Sequence, residues 1–532
     1  MKTKYTFGSM LLAGLLAVGC TDMDTQPDGY YVTPEQKAEI VESNPERAAA
    51  GVTGIFAQMS TYMSVTGSRH NDFGYPSIML FTDQNGMDVV SQDNGYNWCG
   101  NSLDYSDRVY TSNESRIVWN TLYGMIFSAN NVIASLDPNT SDPTIQGYLG
   151  EALADRAFNY WNLAQLYQFN YADHKSAPCV PLVTDENAAT VPVDGAPRAT
   201  VQEVYDQIMK DANQAITLLT AAKDGGWKRA DKRYIDLGVA YGIRARVNLT
   251  MENWAAAAAD AQAAIEASGA TPYGLNEANK PAFNALTDHA WMWGIYIDET
   301  DRVVTSGIVN WISHMGSFNY GYCWYSGGRQ INKALYDSIS DTDIRKGWFT
   351  DENGLSANLT EDQQWVISDY VEYVPYTQVK FAPYKDELLT STNAVDIPLM
   401  RVEEMYLIKA EGEAMSGGNG AATLQEFVQA FRDPEYTCDL TGTALQDEIW
   451  RQRRVEFWGE GLAWFDIMRL NKDVDRRGGL FPDATMVFNI PAGSNVLLWR
   501  IPESEIQANP SLAEGDNNPA APLPDPVADI EY

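Results

Sequence analysis

The chain has 532 residues, 45% of them hydrophobic and 11% aromatic, which is ample for a large packed core and excludes an intrinsically disordered chain. Its 37 Lys and Arg stand against 71 Asp and Glu, a formal net charge of −34. Phosphate backbones and anionic lipid are repelled by such a field, so nucleic acid is not an expected partner; uncharged ligands such as sugars are indifferent to it.

In chain order, the first element is a leader. Lys2 and Lys4 head an apolar run from Phe7 to Val18, and Gly19 stands directly before Cys20. The run is too short for a helix to cross a bilayer of about 30 Å, so residues 1–19 read as a removable signal peptide. A cysteine at the cut predicts lipidation at Cys20, and no second apolar stretch offers another membrane attachment.

Helices are predicted over Pro45–Tyr62, Ser115–Leu136, Ile145–Gln168, Val201–Leu219, Tyr234–Leu249, Trp254–Ala267, Leu399–Met415, Ala422–Phe431 and Leu445–Leu470. Val201, Val204, Tyr205, Ile208 and Ala212 recur on one helical face, and Thr200 with Glu203 forms a capping box. The clearest hairpin runs from Tyr234 to Ala267, where small residues on both arms allow two helices to approach closely. Residues 66–112 and 269–396 differ in texture, being rich in glycine, asparagine and aromatics. Ile295-Tyr296-Ile297 and Val371-Glu372-Tyr373-Val374 alternate as short strands do. The tail over 515–532, with four prolines, reads as extended and loosely held.

Four histidines and no H-E-x-x-H, G-x-S-x-G, P-loop or dinucleotide fingerprint leave no motif for an enzyme, and 71 acidic residues single out no carboxylate pair. Cys99, Cys179, Cys323 and Cys438 are scattered without metal-ligand spacing and are expected to be free and buried. Asp341-Thr342-Asp343 starts like a calcium loop, but Arg345 takes the next ligand position; calcium has no support and no cofactor is expected.

Exposed rings flanked by polar side chains suit sugars, whose C–H faces stack on aromatics while hydroxyls find Asn, Asp or Arg. Two clusters have that make-up: Tyr96, Asn97, Trp98, Asn101 and Tyr105; and Trp291, Trp293, Tyr296, Tyr320, Tyr322, Trp324, Tyr325 and Arg329. Trp98 and Trp324 are the leading candidates. Nearby Gly321, Gly327 and Gly328 argue for exposure of the second cluster.

The chain resembles the SusD/RagB family of surface lipoproteins. Glu151 to Trp161 is similar to its "EA-x-x-x-RA-x-x-Y" helix, and Tyr241 to Ile265 to its alanine-rich hairpin. Arg401 to Glu411 matches "R-x-x-E-x-x-L-x-x-AE", and Arg454, Glu456, Glu460, Gly461, Phe465 and Asp466 match "R-x-E … EG-x-R-x-FD". Ala463 stands where that motif has arginine, so one inter-helix salt bridge is expected to be absent or replaced. Ile501 to Pro510 fits "IP-x-x-E-x-x-x-NP". Asp343-Ile344-Arg345 resembles a structural "D-x-R" of the family, and Asp22 and Asp24 resemble the acidic export tag of Bacteroidota lipoproteins.

The resemblance implies a mainly α fold: a tetratricopeptide-like scaffold of helical hairpins (about 40–65, 115–268 and 397–470) with loop-rich insertions carrying short strands, all in one domain over 20–532. It implies a non-catalytic lipoprotein on the outer membrane, facing the exterior. Such a protein captures oligosaccharide and delivers it to a SusC-like TonB-dependent transporter, acting as its lid. Peptide cargo, as in RagB-type members, is the alternative, and a surface glycoside hydrolase a further one. The paired charges Arg401 with Glu404, and Arg454 with Glu456 and Glu460, read as ties between helices rather than as a general acid and base.

Overall fold

Apolar faces at helical spacing decide the frame of the computed structural model, which describes residues 48–67, 69–91, 100–229 and 231–530. The leader, Cys20, Tyr96, Asn97, Trp98 and Cys99 lie outside the described residues. Helices α1 (Ala48–Ala57) and α2 (Tyr75–Asn85) precede strand β1 (Val89–Val90). Next come α3 (Asn113–Ala134), α4 (Pro143–Tyr167), α5 (Val201–Asp224), α6 (Leu237–Thr250) and α7 (Trp254–Ser268). Strand β2 (Trp291–Ile295), one-turn α8 (Tyr322–Tyr325), β3 (Gln330–Ile331) and β4 (Ile397–Arg401) lead to the last helices. These are α9 (Val402–Met415), α10 (Gly420–Phe431), α11 (Gly442–Glu456) and α12 (Ala463–Arg469).

Each long helix lies against the next: α1 on α3, α3 on α4, α4 along α5, then α5 on α6, α6 on α7, α7 on α9, and α9 on both α10 and α11. The expected mainly α scaffold of helical hairpins is therefore observed, with four small two-stranded sheets among the described residues. The Thr200–Glu203 capping box starts α5, whose residues Val201, Val204, Tyr205, Ile208 and Ala212 are all buried. Ala257, Ala261 and Ala264 are buried on α7, and only small side chains admit so close a neighbour. On α9 a β-carbon at Gly412 would stand 2.5 Å from the carbonyl oxygen of Trp254 on α7.

Tertiary context overrides the local pattern in four places. Leu399 to Arg401 do not begin a helix; they pair with β2 in an antiparallel ladder, Ile295 opposite Ile397. That ladder also moves the predicted strand at 295–297 back to 291–295. The long helix over 445–470 is two helices, because Gly459 and Gly461 adopt φ of 75° and 74°, which an α-helix cannot hold. Val371 to Val374 form no strand. Val366–Tyr370 is a π-helical turn whose end is closed by Val371 N–H donating to Val366 O at 3.0 Å, and Glu372 follows at φ 60°.

The main core draws residues from Ala48 to Leu512, and a smaller cluster gathers Phe318, Cys323, Val366, Ile367, Tyr373 and Val379. Cys179 and Cys323 are free and buried; Cys438 is free and half-buried. The tail is only partly loose. Asn518 donates to the carbonyls of Tyr167 and Trp499 and accepts from Arg198, and beyond it Val527 N–H donates to Val487 O.

The charged motif residues form a buried lattice, though not with the partners that spacing suggests. Arg401 does not pair with Glu404; it binds Glu403, Glu456 and Glu460, while Glu404 takes Arg246 at 2.5 Å. Glu456 also holds Arg432 and Arg345, Lys380 joins Glu460, and Arg454 reaches away to Asp88. Arg401 is the last residue of β4, so its side chain leaves the strand rather than the face of α9. Where Ala463 contributes no charge, Arg453 and Arg469 both reach Asp466, at 2.7 and 2.8 Å. Asp343 is held by Arg345 at 2.6 Å, a structural role.

Candidate functional site

Two short helical segments bring five rings together on the surface. In α8, Tyr322 and Cys323 point into the protein, leaving Trp324 half-buried and Tyr325 exposed. The second segment begins with the helical turn Glu361–Trp365, capped by Thr360, and continues into the π turn. Val366 and Ile367 anchor that turn in the smaller core cluster, while Trp365 and Tyr370, five residues apart, stay outside. The wide π turn puts those two positions on one side, and single π turns recur at functional sites.

The rings make an unbroken series. Tyr325 meets Tyr320 with centroids 5.8 Å apart, and its hydroxyl bonds that of Tyr320 at 3.0 Å. Tyr320 meets Trp324 at 5.8 Å, Trp324 meets Tyr370 at 5.4 Å, and Tyr370 meets Trp365 at 5.1 Å. Tyr320, Tyr325, Trp365 and Tyr370 are 38%, 54%, 48% and 48% exposed, so the series is open to ligand. Large rings normally bury their area, and so many in one exposed row mark a binding surface. The backbone beneath is fixed: Tyr320 N–H donates to Thr390 O and Leu389 N–H to Phe318 O.

Below the strip lies a packed floor. The buried His314 ring stacks on Tyr322 at 4.3 Å and on Phe73 at 5.6 Å. Burial, reinforced by the Arg329 guanidinium, pushes His314 down to about 3, so it is neutral. Tyr322 bonds His70 through its hydroxyl, and Arg329 donates to His314 O at 2.9 Å and to the Ser91 hydroxyl. Because β1 pairs with β3, with Val90 opposite Gln330, Ser91 stands at this floor.

Several sequence candidates take other roles. Tyr322 and Arg329 are buried supports, since the glycines around them serve close packing: Gly321 and Gly328 are buried themselves. Trp291 and Trp293 are fully buried; Trp293 packs against Phe158 at 4.9 Å, as the wall that strand alternation permits equally well. Tyr105 is core, its hydroxyl on Asn85 O. Asn101 is half-buried and accepts from the Ser106 hydroxyl. Tyr296 is exposed, but among the described residues no ring contact joins it to the strip. It borders a separate cavity of about 500 Å³ with Glu299, Tyr384, Lys385 and Asp396, and the Arg233 guanidinium lies over its ring. Trp324 does join the strip. Trp365 and Tyr370 lie just before the stretch Val371 to Val374 that the sequence suggested as a strand, and neither was singled out; the helix cap at Thr360 was the available signal.

Glu460 is disarmed as a general acid. Burial alone would raise Glu460, but Arg401 and Lys380 hold it below the usual glutamate range, the opposite of what a general acid requires.

Residues 63–248 match the family described as "Starch-binding associating with outer membrane", and residues 318–519 match the SusD family. SusD-like protein P38 of Formosa agariphila is 24% identical over 410 residues, covering 69% of this chain and 74% of that protein. Among solved structures, a SusD-like carbohydrate binding protein from Bacteroides vulgatus is 24% identical with a TM-score of 0.72, covering 88% of this chain and 97% of its own. Surface glycan-binding protein A from Bacteroides thetaiotaomicron, solved with laminarihexaose, is 18% identical with a TM-score of 0.60, covering 89% and 99%. With both SusD matches together spanning more than half of its length, the chain belongs to the SusD/RagB family.

Proposed function

We propose that this protein is a non-catalytic glycan-binding lipoprotein of the outer membrane, and that the strip Tyr325–Tyr320–Trp324–Tyr370–Trp365 is where oligosaccharide lies. The observation that carries the reading is an unbroken series of five rings, four of them exposed and Trp324 half-buried between them, over a rigid floor. Support comes from a structural neighbour solved in complex with laminarihexaose and from the capture of Glu404 and Glu460 by cations. Tyr96 and Trp98, outside the described residues, and half-buried Asn101 are kept as candidates from sequence alone. Lipid on Cys20 tethers the protein with the strip facing outward. A SusC-like TonB-dependent transporter receives the cargo, with this protein as its lid.

Stacking of a sugar on one ring contributes about 0.5–1.5 kcal/mol beyond the area it covers. Trp324→Ala and Trp365→Ala should each weaken oligosaccharide affinity severalfold in isothermal titration, and together abolish measurable heat. Unchanged affinity in the double variant for every saccharide that binds the parent protein would remove the strip from the site.

A further inference from the structure

Resting on the strip as the glycan site, we propose that its cargo is an uncharged glycan and that polyuronic and sulfated chains are rejected. The three segments that build the strip, 316–328, 360–373 and 387–393, contain no Lys or Arg. They do contain Glu361, Asp362, Asp369, Glu372 and Glu387, all of them exposed. Asp369 adjoins Tyr370 in sequence and Glu372 follows two residues later, so two exposed carboxylates flank the fourth ring of the series in the chain. Glu387 opens the segment whose backbone supports Phe318 and Tyr320.

The nearest cations in sequence are unable to compensate. Arg329 is buried, with its guanidinium donating downward to His314 O and Ser91. Lys385 is held by Glu299 at 2.7 Å. Recognition of a carboxylate or sulfate calls for Arg or Lys in bidentate or point-charge contact, and the three segments offer an approaching anion only like charge. An uncharged sugar loses nothing: it carries no charge for the rim to repel, and the rings take its apolar face. The rim thus works as a filter, since discrimination comes as much from repelling the wrong ligand as from holding the right one.

The test is isothermal titration of the full mature protein with hexasaccharides of β-1,3-glucan, β-1,4-glucan, α-1,4-glucan and β-1,4-mannan, against oligogalacturonate and oligoalginate of equal length. At least one uncharged hexasaccharide should bind ten times or more tighter than either uronate, with an affinity insensitive to salt. The pair Asp369→Asn and Glu372→Gln should leave that affinity unchanged and raise uronate binding severalfold. Uronate binding that equals or exceeds the best uncharged ligand overturns the proposal. If that uronate binding is lost in the Trp324→Ala, Trp365→Ala protein, the strip remains the site and only its selectivity was misread. Binding of any class that survives those two substitutions, or no binding at all, overturns the strip itself and the proposal with it.

Discussion

Asp155 sits fully buried on α4, and among the described residues its carboxylate accepts only from Asn159 and faces no cation. Desolvation pushes its carboxyl up to about 8. The folded protein therefore keeps a proton that the unfolded chain releases above the ordinary aspartate value of 3.8, and stability falls as pH rises through that window. Asp155→Asn should raise the melting temperature at pH 8 and leave it nearly unchanged near pH 4; an equal shift at both would contradict this. Glu456 works in the opposite sense. Burial would raise its carboxyl, but Arg432, Arg401 and Arg345 hold it well below the ordinary 4.5, so its stabilisation is complete above that value and is lost as pH falls through the lowered one. Removing one member of such a buried set leaves uncompensated charge, typically at a cost of about 3–5 kcal/mol. Glu456→Gln should lower the denaturant midpoint accordingly at pH 7; a midpoint within error of the parent would show the arginines find other partners.

Among the elements, the α7–α9 contact depends on the missing side chain at Gly412. A methyl group there meets the main-chain oxygen of Trp254, which cannot swing aside, so α7 and α9 must separate. Gly412→Ala is expected to destabilise by about 1–3 kcal/mol despite the better helix propensity of alanine. Circular dichroism melting decides it, and a stabilised variant would mean that the hairpins slide freely. The same scale explains what was legible. The α5 face and its cap were readable because period and capping are local. The junction of β4 with α9 was not, because a partner strand more than a hundred residues away holds Leu399 to Arg401 extended. Nor was the π turn that sets Trp365 beside Tyr370, since its anchors Val366 and Ile367 answer to a cluster assembled from distant segments.

On the proposed reading, attachment and recognition are separate in the molecule. Cys20 lies far along the chain from the strip segments at 316–393, and the scaffold between them has a continuous core of its own. Cys20→Ala should shift the protein from the membrane fraction to the soluble one without altering oligosaccharide affinity in titration; a loss of affinity would tie the two functions together. Sequence by itself determined the family, the helical frame and the acidic field, because each is written in contiguous residues or in their sum. It could not decide which aromatics face solvent. Trp293 and Trp324 look alike in a string of letters, yet one is walled in by Phe158 and the other opens onto Tyr370. Exposure of a ring belongs to everything packed around it, and only the tertiary structure assembles those neighbours.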